Sequence, residues 1–188
     1  MKLKSHFLIF ILGVVTMTVR PFDAQAIQPK TNDNSFNIEI SVNANLDEAW
    51  DSWIRPNELE SWLTEKVRIE PKVDGLYELF WEPDFPERNS TIGCRIAIFE
   101  LNHHLSFQWK GPVPFANIMN QDPLPTSVSV SFVSESAGTS LIRLGHSGWG
   151  SGKDWEKARE WQKNAWSNAL LRLKEKFERR VTRLTAPL

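Results

Sequence analysis

The chain has 188 residues, a formal net charge of −1 and 41% hydrophobic residues. A chain of this charge without a basic run argues against nucleic acid or an anionic membrane surface as the main partner. Cys94 is the only cysteine, which excludes an intrachain disulfide. The histidines, including the adjacent His103 and His104, lack the spacing of a metal site. We therefore expect no metal and no other cofactor.

Residues 1–26 have the features of a signal peptide. Lys2 and Lys4 precede an apolar run over residues 7–19, and Ala24-Gln25-Ala26 matches a signal-peptidase site. The run is shorter than the roughly 20 residues that a membrane span needs. We predict cleavage after Ala26, a periplasmic or secreted protein, and no stable membrane insertion after cleavage. An uncleaved N-terminal anchor is the alternative.

The rest of the chain is long enough for one domain with one core. We assign residues 27–35 to a linker, residues 36–184 to a single domain and residues 185–188 to a tail.

The first predicted elements are a strand and two short helices. Residues Phe36–Val42 alternate apolar and polar side chains, which predicts a strand. Asn45 and Glu48 have the spacing of a capping box for a helix through Trp53, and Pro56 suits the first turn of a second helix. Six more strand-like runs follow, at Lys66–Ile69, Leu76–Trp81, Thr91–Glu100, Leu105–Trp109, Thr126–Val133 and Ser140–His146.

A longer connection lies between Lys110 and Thr126. It contains four prolines and the apolar residues Phe115, Ile118 and Met119. Loops of this length without regular structure are often lids or binding loops. The alternative is a plain hairpin connection whose apolar residues pack on the rim.

The last third of the chain predicts a long helix after the turn Gly145–Gly152. At about 100° per residue, one face of this helix is mainly apolar. Arg159 and Gln162 fall on the same face near its start. A face that is apolar in one half and partly polar in the other could line a ligand pocket. The apolar residues of this face are Trp155, Trp166, Leu170, Leu173, Phe177, Val181 and Leu184.

The order of these motifs resembles the START-like, helix-grip (SRPBCC) superfamily, in the branch related to the activator of Hsp90 ATPase. The resemblance covers about residues 36–177. Members of the branch often have Gly-Trp where this chain has Ala165-Trp166. The residues that carry the resemblance are Ala49-Trp50, Pro56, Leu59, Trp62, Leu105–Trp109, His146–Gly148, Ala165-Trp166, Leu170 and Leu173.

The resemblance implies an α+β fold with a curved antiparallel sheet of about seven strands around the C-terminal helix. Two short helices follow the first strand, and a hydrophobic cavity lies between sheet and helix. Family members bind small apolar or amphipathic molecules, and some are cyclases or related enzymes. Hsp90 is not expected as a partner, because bacterial Hsp90 is cytosolic while this chain is expected to be exported.

Arg159 and His146 are the polar residues of most interest. Arg159 could bind the anionic group of a ligand, pair with a strand carboxylate such as Glu78, or reach solvent at the cavity mouth. His146 could act as a general base or a hydrogen-bond donor, or it could be structural. We assign no catalytic residue and keep His146 and Glu78 as candidates.

Tryptophans supply the rest of the predicted site, either as ligand contacts or as core. We predict a pocket lined by Arg159, Gln162, Trp155, Trp166, Trp109, Phe107, Trp81 and His146.

The function expected from these features is binding of an apolar or amphipathic small molecule by an exported protein. No nucleophile motif is present, so we favour a binding protein over an enzyme. The alternatives are a cyclase-like or other acid–base enzyme in the same cavity, and a protein-interaction module. A binding function predicts a cavity of about 300 Å³ or more.

Overall fold

A computed structural model of the protein describes residues 34–185, with side chains up to residue 180. The predicted signal segment, most of the linker, the last three residues and the side chains of Val181 and Leu184 lie outside the described part. The strands are β1 (Phe36–Val42), β2 (Lys66–Ile69), β3 (Tyr77–Phe80), β4 (Ile96–Glu100), β5 (His104–Trp109), β6 (Thr126–Ser136) and β7 (Thr139–Ser147). The helices are α1 (Leu46–Ile54), α2 (Pro56–Glu60), α3 (Ala116–Met119) and α4 (Lys153–Thr185).

Both short helices begin where local chemistry predicts. The Asn45 side chain accepts a hydrogen bond from the Glu48 amide at 2.9 Å, and the Glu48 carboxylate accepts one from the Asn45 amide at 3.1 Å. This capping box satisfies two amides that α1 leaves unpaired. Pro56 occupies the first turn of α2, where its missing N–H costs no helical hydrogen bond.

The seven strands are all antiparallel to their neighbours. Five form one sheet in the order β1-β7-β6-β5-β4, and β2 pairs with β3. An isolated bridge between Leu76 and Arg95 joins the chain before β3 to the chain before β4. The prediction of seven antiparallel strands and two short helices after the first strand is confirmed within the described residues.

Two predicted segments differ from the structure. The strand expected over Thr91–Glu100 begins only at Ile96, because Gly93 has a φ of 81° and interrupts the extended backbone. The connection expected to be irregular contains a 3-10 turn at Val113–Phe115 followed by the single turn of α3.

The long helix α4 buries one face against the rest of the domain. Trp166, Leu170, Leu173 and Phe177 are each at most 2% exposed. Leu105, Phe107 and Trp109 are buried along β5, as are Val128, Val130 and Phe132 along β6. The predicted α+β helix-grip fold is therefore confirmed. Within the described range, no helix is both long and apolar enough to span a membrane.

Candidate functional site

A cavity of about 230 Å³ lies between α4 and the end of β5. It is smaller than the roughly 300 Å³ expected for a small-molecule site. The interior next to it is filled by large rings, since Trp53 and Phe107 are fully buried. The residues that line it are Leu63, Trp81, Asn89, Trp109, Lys110, Pro112, Trp161, Gln162, Ala165, Trp166, Ala169 and Arg172.

Three tryptophans from different elements form the aromatic wall of the cavity. The rings of Trp109 and Trp166 have centroids 4.9 Å apart and are tilted by 47°. Trp81 meets Trp109 edge-to-face at 5.8 Å and donates from Nε1 to the Leu63 carbonyl at 2.9 Å. The three rings thus hold one another in fixed orientations and present apolar surface to a ligand.

Gln162 supplies a polar group to this wall. Its Oε1 lies 3.3 Å from Nε1 of Trp109, and the residue is 4% exposed. An indole N–H can only donate, so the atom facing it must be the amide oxygen. The Gln162 Nε2 group makes no hydrogen bond to a described residue. As part of the cavity lining, Gln162 therefore offers two N–H donors without a protein acceptor.

Two cations line the cavity. Lys110 donates from Nζ to the Ile92 carbonyl at 2.6 Å, and Arg172 donates from Nε to the Trp62 carbonyl at 3.1 Å. No carboxylate of the described residues lines the cavity. The charged and amide side chains of the lining are those of Lys110, Arg172, Asn89 and Gln162.

The proline-containing connection lies beside the cavity. Pro112 lines it, and Phe115 contacts Trp161 with ring centroids 5.7 Å apart. The Asn120 side chain bonds both the amide and the carbonyl of Gly111, at 2.8 and 2.9 Å. These two bonds close the segment between them into a compact loop next to the cavity.

His146 lies outside the cavity, on the other side of Trp109. Its ring is fully buried, and neither ring nitrogen has a hydrogen-bond partner among the described residues. Three rings surround it, with centroids 4.5 Å away in Trp149, 5.4 Å in Phe36 and 5.9 Å in Trp109. We call Phe36, Trp109, His146 and Trp149 the aromatic cage. Burial lowers the pKa of His146 to about 3, so the ring is neutral at physiological pH.

A glycine turn positions the cage. Gly148 has a φ of 84°, and a Cβ there would lie 1.9 Å from the Pro125 carbonyl oxygen. No other residue fits this turn without moving the backbone. The turn directs Trp149 back under the sheet, where its Nε1 donates to the His146 carbonyl at 3.1 Å.

Trp155 and Arg159 also lie outside the cavity, near the start of α4. Trp155 packs edge-to-face on Trp149 at 6.2 Å. The Arg159 guanidinium is 3.4 Å from the Asn34 side-chain oxygen and is half-buried. The expectation that these two residues line the same cavity as Gln162 is therefore not met.

Glu78 and Phe107 have structural partners instead. The Glu78 carboxylate is 2.5 Å from the Arg68 guanidinium and accepts the Gly93 amide at 2.7 Å, so the alternative in which it pairs with Arg159 is wrong. Phe107 stacks on Tyr77 with centroids 4.0 Å apart. Since Glu78, His146 and Arg159 share no contact, the structure does not bring the predicted acid–base residues together.

The buried thiol of Cys94 is a poor candidate for a nucleophile. Burial raises the pKa of Cys94 to about 12; Lys110 partly opposes this shift and Glu78 adds to it. The thiol therefore stays protonated at neutral pH, and thiolate character is what nucleophilic cysteines need.

Four of the residues predicted from the sequence to bind a ligand line this cavity: Trp81, Trp109, Gln162 and Trp166. The other eight lining residues were not predicted. The missed residues on α4 have a recognisable spacing. Ala165 and Ala169 follow Gln162 at helical intervals, and Arg172 comes three residues later. Small residues repeated on a buried helix face leave room beside the helix. This spacing of alanines is the sequence pattern that could have indicated the cavity-lining residues of α4.

Comparison with known proteins agrees with this fold. A family model described as Activator of Hsp90 ATPase homolog 1-like protein matches residues 43–178. The comparison with curated proteins gives no match.

Solved structures with the same fold come from several sources. A protein from Mesorhizobium loti is 20% identical with a TM-score of 0.61, over 77% of this chain and 97% of that one. A protein of the dynemicin biosynthetic locus is 17% identical with a TM-score of 0.59, over 78% of this chain and 48% of that one. An HSP90 activator from Plasmodium falciparum is 16% identical with a TM-score of 0.54, over 72% and 90%.

At these identities the structural neighbours establish the fold alone. The family match is independent of them and spans well over half of the chain. The chain belongs to the Activator of Hsp90 ATPase homolog 1-like protein family.

Proposed function

We propose that this protein binds a small apolar or amphipathic molecule in the cavity between β5 and α4. The observation that carries the proposal is the wall formed by Trp81, Trp109 and Trp166 beside the free Nε2 group of Gln162. An apolar lining with a few placed polar groups is typical of small-molecule sites. A fold alone would not support this conclusion, since one fold serves many functions.

The dimensions of the cavity limit the ligand. At about 230 Å³ the cavity lies below the roughly 300–1,000 Å³ of typical ligand pockets, so only a small ligand fits. A fused two-ring compound or a short chain is the size that suits this space. Ala165 and Ala169 are the residues that keep the space open, because both line the cavity with side chains of a single methyl group.

The geometry supports ligand binding better than it supports a catalysed reaction in the same cavity. The two candidate acid–base residues do not line the cavity, since His146 lies in the aromatic cage and Glu78 bonds Arg68 and Gly93. General acid–base catalysis needs its group within hydrogen-bond reach of the reacting atom. A cyclase-like reaction in this cavity would need other groups than these two.

We include export in the proposal, on the strength of the signal-peptide pattern in residues 1–26. Export would separate the protein from cytosolic Hsp90, and we therefore do not propose Hsp90 as its partner. Amino-terminal sequencing of the protein from the periplasm or medium of its host should show a chain beginning at Ile27. A chain that retains residues 1–26 would contradict this part of the proposal.

The binding proposal is tested with 2-naphthamide, a neutral two-ring probe, by isothermal titration calorimetry. The Ala165→Leu variant should abolish binding, because a larger side chain fills the cavity. Asn168→Leu is the matched control, since Asn168 is exposed on α4 and is not among the cavity-lining residues. It should leave the affinity unchanged.

Native mass spectrometry of protein purified from its own host adds an independent readout. A co-purifying small apolar molecule that is lost in Ala165→Leu supports the proposal. Equal binding of 2-naphthamide by wild type and Ala165→Leu would contradict it.

A further inference from the structure

We infer that the ligand of this cavity is an amphipathic acid, with its apolar ring or chain against the tryptophans and its carboxylate at Lys110 and Arg172. The inference rests on the proposed function and adds the charge of the ligand. It follows from the polar groups of the lining, which are cations and amides.

The first support is that both cations lack a protein counter-charge. Among the described residues, neither Lys110 nor Arg172 has a carboxylate within 4.0 Å. Several other arginines of the domain are paired, such as Arg68 with Glu78 at 2.5 Å and Arg143 with Glu39 at 2.7 Å. Two cations without acidic partners on one small cavity give it a positive local field.

The second support is that both cations are tethered. The bond from Lys110 to the Ile92 carbonyl uses one of three donors, and the bond from Arg172 to the Trp62 carbonyl uses one of five. The remaining N–H groups make no hydrogen bond to a described residue and are available to a ligand. A side chain that is already oriented loses less conformational entropy when it binds.

The third support is the direction of the amide at the cavity wall. Gln162 presents Nε2, a donor, because its oxygen is engaged by Trp109. A ligand oxygen that accepts from Nε2 can be part of the same acidic group or a second polar substituent. Donors therefore predominate among the polar groups that are free to meet the ligand.

Acidic residues lie nearby but are mostly engaged. A shallower groove shares Leu63, Trp81 and Arg172 with the cavity and also contains Glu60, Glu65 and Glu175. Glu60 accepts the Val67 amide at 3.1 Å, and Glu175 pairs with Arg179 at 3.4 Å. They reduce the positive field on the outer side of Arg172 without occupying its ligand-facing donors.

The experiment compares two probes of nearly the same shape, 2-naphthoate and 2-naphthamide, by calorimetry on the purified protein. We expect 2-naphthoate to bind at least tenfold more tightly, since charge-assisted hydrogen bonds are the stronger ones. Lys110→Gln and Arg172→Gln should each weaken 2-naphthoate by about tenfold and leave 2-naphthamide within about twofold. The double variant should remove the preference for the acid.

Arg159→Gln is the matched control, because Arg159 is also an arginine of α4, has no carboxylate partner among the described residues and lies outside the cavity. It should keep the full preference. Rising salt should weaken 2-naphthoate and spare 2-naphthamide in the wild type, a readout that does not depend on any variant folding.

The outcomes separate the two proposals. If 2-naphthamide binds as tightly as 2-naphthoate and Ala165→Leu blocks it, the binding function stands and the inference about charge is overturned. A preference that survives in the double variant, or is lost equally in Arg159→Gln, also overturns it. If neither probe binds, both the proposed function and this inference are contradicted.

Discussion

Two aromatic environments meet at Trp109, and they differ in how completely side chains fill them. On one side, the aromatic cage encloses His146 completely and leaves both of its ring nitrogens without a partner among the described residues. On the other side, Gln162 bonds Trp109 through its amide oxygen, and its Nε2 makes no hydrogen bond to a described residue. The same ring thus belongs to a closed core and to an open cavity.

The difference has a physical cause in the residues that face each side. Trp149 and Phe36 fill the closed side, with Trp155 packed behind Trp149. Ala165 and Ala169 leave the open side unfilled. An abundance of tryptophan therefore does not by itself indicate a ligand site; the small residues opposite the rings decide where space remains.

The largest expected effect is on stability, in a pair of tryptophan truncations. Trp149→Ala removes a ring that is 2% exposed and should lower the free energy of unfolding by about 3–5 kcal/mol. Trp81→Ala removes a half-buried ring at the open cavity and should cost less than half as much. Urea denaturation at pH 8 measures the free energy of unfolding of both variants. Equal losses of stability would contradict the difference between the closed and the open side of Trp109.

A second prediction concerns the pH dependence of the closed side. Burial lowers the pKa of His146 from 6.5 to about 3, so between these values the unfolded chain binds a proton that the folded chain does not. The stability contributed by the neutral ring is complete above pH 6.5 and is lost as the pH falls towards 3. We expect this group to cost about 2 kcal/mol between pH 8 and pH 5.

The variant His146→Leu isolates this contribution. Desolvation by burial is the cause of the lowered His146 pKa, and an apolar side chain at this position removes the titrating group. The variant should be within about 1 kcal/mol of wild type at pH 8, because the ring nitrogens make no hydrogen bonds to lose. Its stability at pH 5 should exceed that of the wild type, whereas a parallel decline of both proteins would show that His146 is not the group that titrates. His103→Gln, at an exposed histidine, should follow the wild type.

The smallest expected effect is on the open side. Gln162→Leu removes the acceptor of the Trp109 indole and should cost about 1 kcal/mol of stability. The same change should also weaken 2-naphthamide several-fold, because the free Nε2 donor is lost with it. Chemical denaturation and calorimetry on the same preparation test the two effects; a loss of stability with unchanged affinity would place Gln162 in the core only.

The fold was predictable because local patterns and the family resemblance agreed. The capping box at Asn45, the alternation of β1 and the apolar face of α4 each indicated an element that the structure contains. Glu78 shows what was missing for the site. Its partner is set by the register of β2 and β3, which places Arg68 directly opposite it. Strand register is a tertiary property that spacing along the chain did not reveal.

The position of Arg159 makes the same point for the helix. A projection at 100° per residue places Arg159 and Gln162 on one face. It does not show which part of that face, along the helix axis, meets the cavity. The lining of the cavity on α4 runs from Trp161 to Arg172, so Arg159 lies short of it. Which part of a helix face meets a cavity depends on what packs against it, here Trp109 and Trp81 on the sheet side.

The central claim is that a ligand enters the open side of Trp109 and leaves the closed side undisturbed. The most direct test is a titration with 2-naphthamide followed through the assigned indole N–H resonances in a ¹H–¹⁵N spectrum. We expect the signals of Trp81, Trp109 and Trp166 to shift together while that of Trp149 stays in place. A shift of Trp149 comparable to that of Trp166, or no shift at the three cavity tryptophans, would contradict it.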